Sequence, residues 1–259
     1  MVRGPVMAVL VGAILLPPAA RAHADPAPEW VVDVGGAARV RPAHLGSGRY
    51  VADGVPLLEA SYGDQLTISL DDGVKWSALR AGQVSAGPVA EYRQAFNDQL
   101  PAGTRRMSDA VELGGFTEVR TSLGIAEARI RRAVNAYDGW SADLSFSTGA
   151  PVGRRLFLGG QARASWADGR FTDEYFGLRP DVAAAFGLPA PFRRNYVTAG
   201  AELEAIGQVT SASRLVVALS ANRIVSDLRP SPLFQDRKIL TAALGLTYRL
   251  RGSQTGHLP

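Results

Sequence analysis

From Trp30 onward the chain returns again and again to strict two-residue alternation, which restricts it to strands with one apolar and one polar face. Trp140, Ala142, Leu144 and Phe146 alternate with Ser141, Asp143, Ser145 and Ser147. Val197, Ala199, Ala201, Leu203 and Ala205 alternate with Thr198, Gly200, Glu202 and Glu204. Leu240, Ala242, Leu244, Leu246, Tyr248 and Leu250 alternate with Thr241, Ala243, Gly245, Thr247 and Arg249. Trp30, Val32, Val34, Ala38 and Val40 face one way, while Asp33, Arg39 and Arg41 face the other. After residue 24 no stretch stays apolar for the roughly 20 residues that a helical bilayer span requires. The second face carries few apolar residues. A water-soluble sandwich would have to keep that face in solvent throughout, and a secreted β-sandwich is the alternative reading. A membrane barrel produces the pattern directly, with apolar side chains toward lipid, polar ones toward the lumen, and no open edge.

Read as an up-and-down antiparallel barrel, the chain predicts strands over 30–41, 56–62, 65–71, 74–80, 82–95, 110–122, 124–137, 140–149, 154–166, 194–207, 212–225 and 237–250. That makes twelve, or ten if the short segments between 56 and 80 merge with their neighbours. Either even number places both termini on one side, the periplasm in bacterial barrels. The outer connections are then 42–55, 72–73, 96–109, 138–139, 167–193 and 226–236. The inner ones, 63–64, 81, 123, 150–153 and 208–211, are all short turns. This asymmetry is what outer-membrane barrels show. Trp30, Trp140, Trp166, Tyr92 and Tyr248 fall near strand ends, where amphipathic rings favour the headgroup level.

The first 24 residues predict an export signal. Met1-Val2-Arg3 supplies a charged start, Val6 to Leu16 an apolar run, and Ala22-His23-Ala24 small residues at the cleavage positions. The mature chain is expected to begin at Asp25, with Ala22 as the alternative. The expected organisation is a signal peptide over 1–24, an outer-membrane barrel over 25–250 and a periplasmic tail over 251–259.

Composition removes several kinds of chemistry. The chain has no cysteine, which excludes disulfides, thiolate metal sites and thiol catalysis. Its three histidines, His23, His44 and His257, lie in the signal, an outer loop and the tail, so no strand holds one as a catalytic base. The formal charge is +4. Arg3 and Arg21 account for half of it, and no basic stripe remains for nucleic acid. The expected lumen face carries Arg39, Arg41, Lys75, Arg93, Arg120, Arg129, Arg131, Arg155, Arg163 and Arg249. Facing them are Asp33, Glu59, Asp71, Glu91, Glu112, Glu118, Glu127, Asp143, Glu202 and Glu204. A pathway selective for one ion sign would carry an excess of the other. Balance predicts ion pairs across a narrow, side-chain-filled interior. Glu202 and Glu204 share a face but carry no catalytic motif, and no catalytic, cofactor-binding or metal-ligating residue is assigned. Val182-Ala183-Ala184-Ala185-Phe186, in a loop that also holds Phe171, Tyr175 and Phe176, predicts a short helix packed over or into the barrel mouth. Asp227, Asp236 and Arg237 read as solvated loop charges.

The C-terminal half carries a resemblance. Asp173-Glu174-Tyr175-Phe176-Gly177 follows a strand ending in Trp166-Ala167-Asp168. Asn222-Arg223-Ile224-Val225-Ser226-Asp227, then Ser231-Pro232-Leu233, precede the closing strand Ala243-Leu244-Gly245-Leu246-Thr247-Tyr248-Arg249-Leu250. These are similar to the D-x-Y-F-G-V, R-L-x-x-D-x-x-x-S-P and G-L-x-Y-R-F segments of the MipA/OmpV family of outer-membrane proteins. Pro56-Leu57 after Arg49-Tyr50 resembles an early strand of that family, and the match in order and spacing covers essentially all of the mature chain. Leu250 departs from the family's terminal aromatic, and Arg251 to Pro259 extend beyond it. The resemblance implies a non-enzymatic scaffold without cofactors. It would sit in outer-membrane lipid, be inserted by the barrel-assembly machinery, and bring a murein transglycosylase together with a murein synthase. A small-solute channel and a surface adhesin acting through the outer loops are the other function classes.

Overall fold

The computed structural model describes residues 29–101, 104–185, 187–229 and 231–251. The expected signal peptide and nearly all of the expected tail therefore lie outside the described residues. Thirteen strand segments form one antiparallel sheet. They are β1 (Trp30–Pro42), β2 (Tyr50–Tyr62), β3 (Leu66–Ser69), β4 (Gly73–Trp76), β5 (Leu79–Ala81), β6 (Val84–Arg93) and β7 (Ala110–Arg120). After them come β8 (Ile125–Ala133), β9 (Trp140–Val152), β10 (Leu156–Ala167), β11 (Tyr196–Gln208), β12 (Ser213–Ile224) and β13 (Lys238–Arg251). β1 pairs with β13, and β4 pairs with β6, so the sheet closes on itself.

β4 and β5 are one interrupted strand, which makes a barrel of twelve strands and not ten. Lys75 stands opposite Val89 and Leu79 opposite Ala86, so four steps on one strand match three on the other. This is a β-bulge. The partner residue at the bulge is Gly87, where a Cβ would come within 1.8 Å of the Trp76 carbonyl oxygen.

The alternation sets the faces as read from sequence. Leu144, Leu203, Leu219, Leu244 and Ile130, all mid-strand, are more than half exposed on the outside. Apolar surface on this scale belongs in hydrocarbon, not water. Trp30 tilts against Tyr62 at the rim of short turns, with ring centroids 5.3 Å apart. Trp140, Trp166, Tyr50 and Tyr92 sit at the opposite rim, so each rim carries aromatic rings.

β2 begins at Tyr50, six residues earlier than the expected 56. The small residues Ala52, Gly54 and Pro56 on its outer face weaken the apolar signal there. Beyond Leu58, whose carbonyl accepts from the Leu70 amide, no pairing continues on the β3 side of β2 among the described residues. Pro56, two residues on, supplies no N–H to that edge, a known use of proline on edge strands. An apolar recess of about 360 Å³ lies beside it on the barrel exterior, lined by Pro56, Ile68, Leu70, Val74, Tyr92 and Val111.

Candidate functional site

The barrel interior gathers the largest network of charged side chains among the described residues. Register creates the pairs. Asp33 stands opposite Arg249, whose Nη2 donates to it at 2.6 Å, and Arg214 reaches the same carboxylate at 3.3 Å. Arg39 stands opposite Asp53 and binds it with two parallel bonds of 2.9 Å. Arg41 bonds Asp53 at 2.9 Å and Asp98 at 2.8 Å.

Glu112 on β7 is fully buried and anchors the upper half of the network. It accepts from Arg93 Nε at 2.7 Å, Arg131 Nε at 2.9 Å and Ser141 Oγ at 2.8 Å, and from the Tyr137 hydroxyl. Tyr137 lies in the loop after β8, where burial pushes its hydroxyl pKa well above the tyrosine range and keeps the donor proton in place. Arg131 continues to Asp143 at 2.6 Å. Arg129 binds Glu127 and also takes Asp72 at 3.0 Å. Asp72 comes from the tip of the short β3–β4 hairpin, so that tip reaches β8 across the interior. Lys75 binds Glu127 and lies 3.6 Å from Glu118. Charges taken from bulk water require such partners, and removing one leaves the other stranded.

The long connection after β10 closes the mouth. It holds two helices, α1 (Gly169–Phe176) and α2 (Pro180–Ala185). The Asp168 carboxylate caps α1 by accepting from the amides of Arg170 and Phe171, and it also accepts from the Trp140 amide at 2.9 Å. Phe171, Tyr175 and Phe176 point down into a buried cluster with Tyr137, Phe192, Tyr196, Ile224, Leu228 and Leu233. Phe171 stacks on Tyr175 at 4.4 Å and tilts on Tyr196 at 4.9 Å. The expected helix over Val182–Phe186 exists as α2, but α2 buries only Ala183. The element that fills the mouth is α1, and Phe186 lies outside the described residues. A second lid segment carries Phe96, whose ring lies 4.0 Å from the Arg41 guanidinium carbon and packs on Ala37, Val55, Leu57, Ala218 and Ala243.

The remaining sequence-assigned residues are distributed as follows. Arg120 binds Glu118 at 2.9 Å near the inner rim, whereas Arg155 sits exposed in the turn between β9 and β10. Glu202 and Glu204 face inward but line different spaces, an upper chamber of about 180 Å³ and a lower recess of about 50 Å³. His44 is buried in the loop after β1, with Nδ1 3.2 Å from the Asp98 carbonyl oxygen, and burial lowers its pKa. Asp227 is solvated as expected, and the Arg229 side chain that donates to it lowers its pKa. His23 and His257 lie outside the described residues. Asp53, Asp72, Asp98 and Arg214 join the network without having been assigned from sequence. Extending the alternation back along β2 and along β12 would have found Asp53 and Arg214, whereas Asp98 sits in a loop with no periodic signal. Among the described residues no cluster has the composition of a metal site.

Residues 34–250 match the family model described as MltA-interacting protein MipA. No curated protein matches the chain. Among solved structures, the COG4313 outer membrane channel from Pseudomonas putida F1 is similar at 11% identity and a TM-score of 0.44, over 91% of this chain and 100% of that one. A porin is similar at 7% identity and a TM-score of 0.34, over 86% and 100%. Ail of Yersinia pestis, solved with the heparin analogue sucrose octasulfate, is similar at 8% identity and a TM-score of 0.24, over 86% and 99%.

Proposed function

The chain belongs to the MipA family, and from that premise we propose that it is a non-enzymatic anchor organising murein-cleaving and murein-synthesising enzymes beneath the outer membrane. It is an outer-membrane β-barrel protein, with an apolar exterior in lipid and its backbone hydrogen bonds closed around the cylinder. The observation that carries the anchor reading is the filled interior. Arg129–Asp72 ties the β3–β4 hairpin tip across the interior to β8, Arg131–Asp143 joins β8 to its neighbour β9 on the inner face, and the aromatic cluster under α1 covers the outer mouth. Both narrow the route that a solute would take through the barrel. Export by residues 1–24 and insertion by the barrel-assembly machinery belong to the same reading. Because the inner turns are short, partner contacts fall to 25–29 and 251–259.

Two measurements test this. Crosslinking in intact envelopes should recover a murein transglycosylase and a murein synthase with the barrel. Planar-bilayer recordings should show no steady conductance. Large, long-lived open steps without recovery of either enzyme would replace the anchor with a small-solute channel.

A further inference from the structure

The upper chamber of the interior holds polar groups that the ion-pair network leaves over. It is lined by residues of β6 and β8 to β13 and by Asp71 of the β3–β4 turn, beneath Tyr196 of the aromatic lid. Two of the arginines that line it carry a buried guanidinium N–H with no acceptor among the described residues, Nη1 of Arg131 and Nε of Arg163. The Arg131 side chain is only 1% exposed, and its other nitrogens are already committed to Glu112 and Asp143. A buried cationic donor without an acceptor is costly, so the space beside it calls for an oxygen. Glu202, on β11 and opposite Gln161 of β10, lines the same chamber and forms no hydrogen bond or ion pair among the described residues. The chamber therefore offers unmatched donors on β8 and β10 and an unmatched carboxylate on β11.

A lone anion would satisfy the arginines but would also face Asp71, Glu91, Asp143 and Glu202. A lone cation would suit Glu202 but meet three arginines. One small molecule bearing both charges answers both sides. We propose that this chamber binds a small zwitterion of the α-amino-acid class, its carboxylate taken by Arg131 Nη1 and Arg163 Nε and its ammonium by Glu202. The volume, about 180 Å³, holds roughly six to ten non-hydrogen atoms. Charge-assisted bonds to carboxylate are the strong class of hydrogen bond, and their geometry selects planar oxyanions. The site is independent of the anchor reading, since binding is measured without any murein enzyme.

The test is equilibrium binding of isotope-labelled L-alanine to the purified full-length barrel in detergent micelles. Acetate and methylammonium serve as the two half-ligands. Saturable binding of L-alanine is expected, with each half-ligand weaker by roughly tenfold or more. Arg163→Gln and Glu202→Gln should each weaken binding by about tenfold while leaving heat-modifiable migration unchanged. Arg131 is left intact because its loss would take from Glu112 one of its two arginines and from Asp143 its 2.6 Å partner. Absence of saturable L-alanine binding, equal binding of a half-ligand, or unchanged binding in both variants would overturn the site and leave ordered water as its occupant.

Discussion

Glu112 shows how much one side chain carries in this interior. Four donors converge on its carboxylate, two of them arginines, of which Arg131 has almost no access to water. Glu112→Ala should destabilise the barrel by about 3 kcal/mol, because Arg93 and Arg131 lose the buried carboxylate they share and keep only Glu91 and, for Arg131, Asp143. Urea unfolding in micelles will measure it. Asp227→Ala, at an exposed ion pair, should leave the same curve unmoved. His44 adds a pH dependence. Burial lowers its folded-state pKa, with Asp98 and Arg49 the nearest charged groups. The neutral ring is therefore favoured in the fold. Its contribution is full above the unfolded value of about 6.5 and is lost as pH falls below it. Amide exchange in the loops around residues 43–49 and 94–101 should quicken on acidification, and His44→Gln should flatten that response.

The helix α1 and the strands that carry it divide the labour of closing the mouth. β10 delivers Asp168 to the rim, where its carboxylate both starts α1 and holds the first amide of β9. Asp168→Ala should weaken the lid by about 1 kcal/mol, the ordinary cost of a lost helix cap. Faster protease cleavage within 168–195, with the barrel itself intact, reports it. Strands answer to a different solvent. Leu203 sits mid-strand on β11 and is 64% exposed to what the fold requires to be lipid. Leu203→Arg should cost about 2–4 kcal/mol of stability in bilayers. The same change at Leu123, in an inner turn, should cost little. Reversible unfolding into lipid vesicles separates the two.

At the scale of the molecule, closure is what makes the parts coherent. The pairing of β1 with β13 joins the first described strand to the last, and the β4–β6 pairing closes the other seam through four short residues and a bulge. A closed barrel resists detergent until heated, so unheated and boiled samples should migrate differently on a gel. Identical migration, with the protein dissolved without detergent, would remove lipid from the account of the outer face.

Fold class and the sorting of long and short loops were legible in the sequence, and the strand number was narrowed to twelve or ten, with the bulged pairing of β4 and β5 to β6 deciding for twelve. The first two follow from side-chain periodicity and turn length, which are local properties of the backbone. So were most of the charged residues that face inward, because alternation fixes which side chains do, although Asp53, Asp72, Asp98 and Arg214 join the network and Arg155 leaves it, so acids outnumber bases there. The start of β2 was not, since Ala52, Gly54 and Pro56 carry too little apolar signal. Nor could the sequence choose α1 over α2 as the plug, because that depends on which aromatic side chains meet Tyr137 and Tyr196 across the mouth. The partners of each arginine were likewise decided only in three dimensions. Ion pairing between strands depends on register around a closed cylinder and on the reach of a hairpin tip such as Asp72. These are relations among residues far apart in the chain, and no local pattern encodes them.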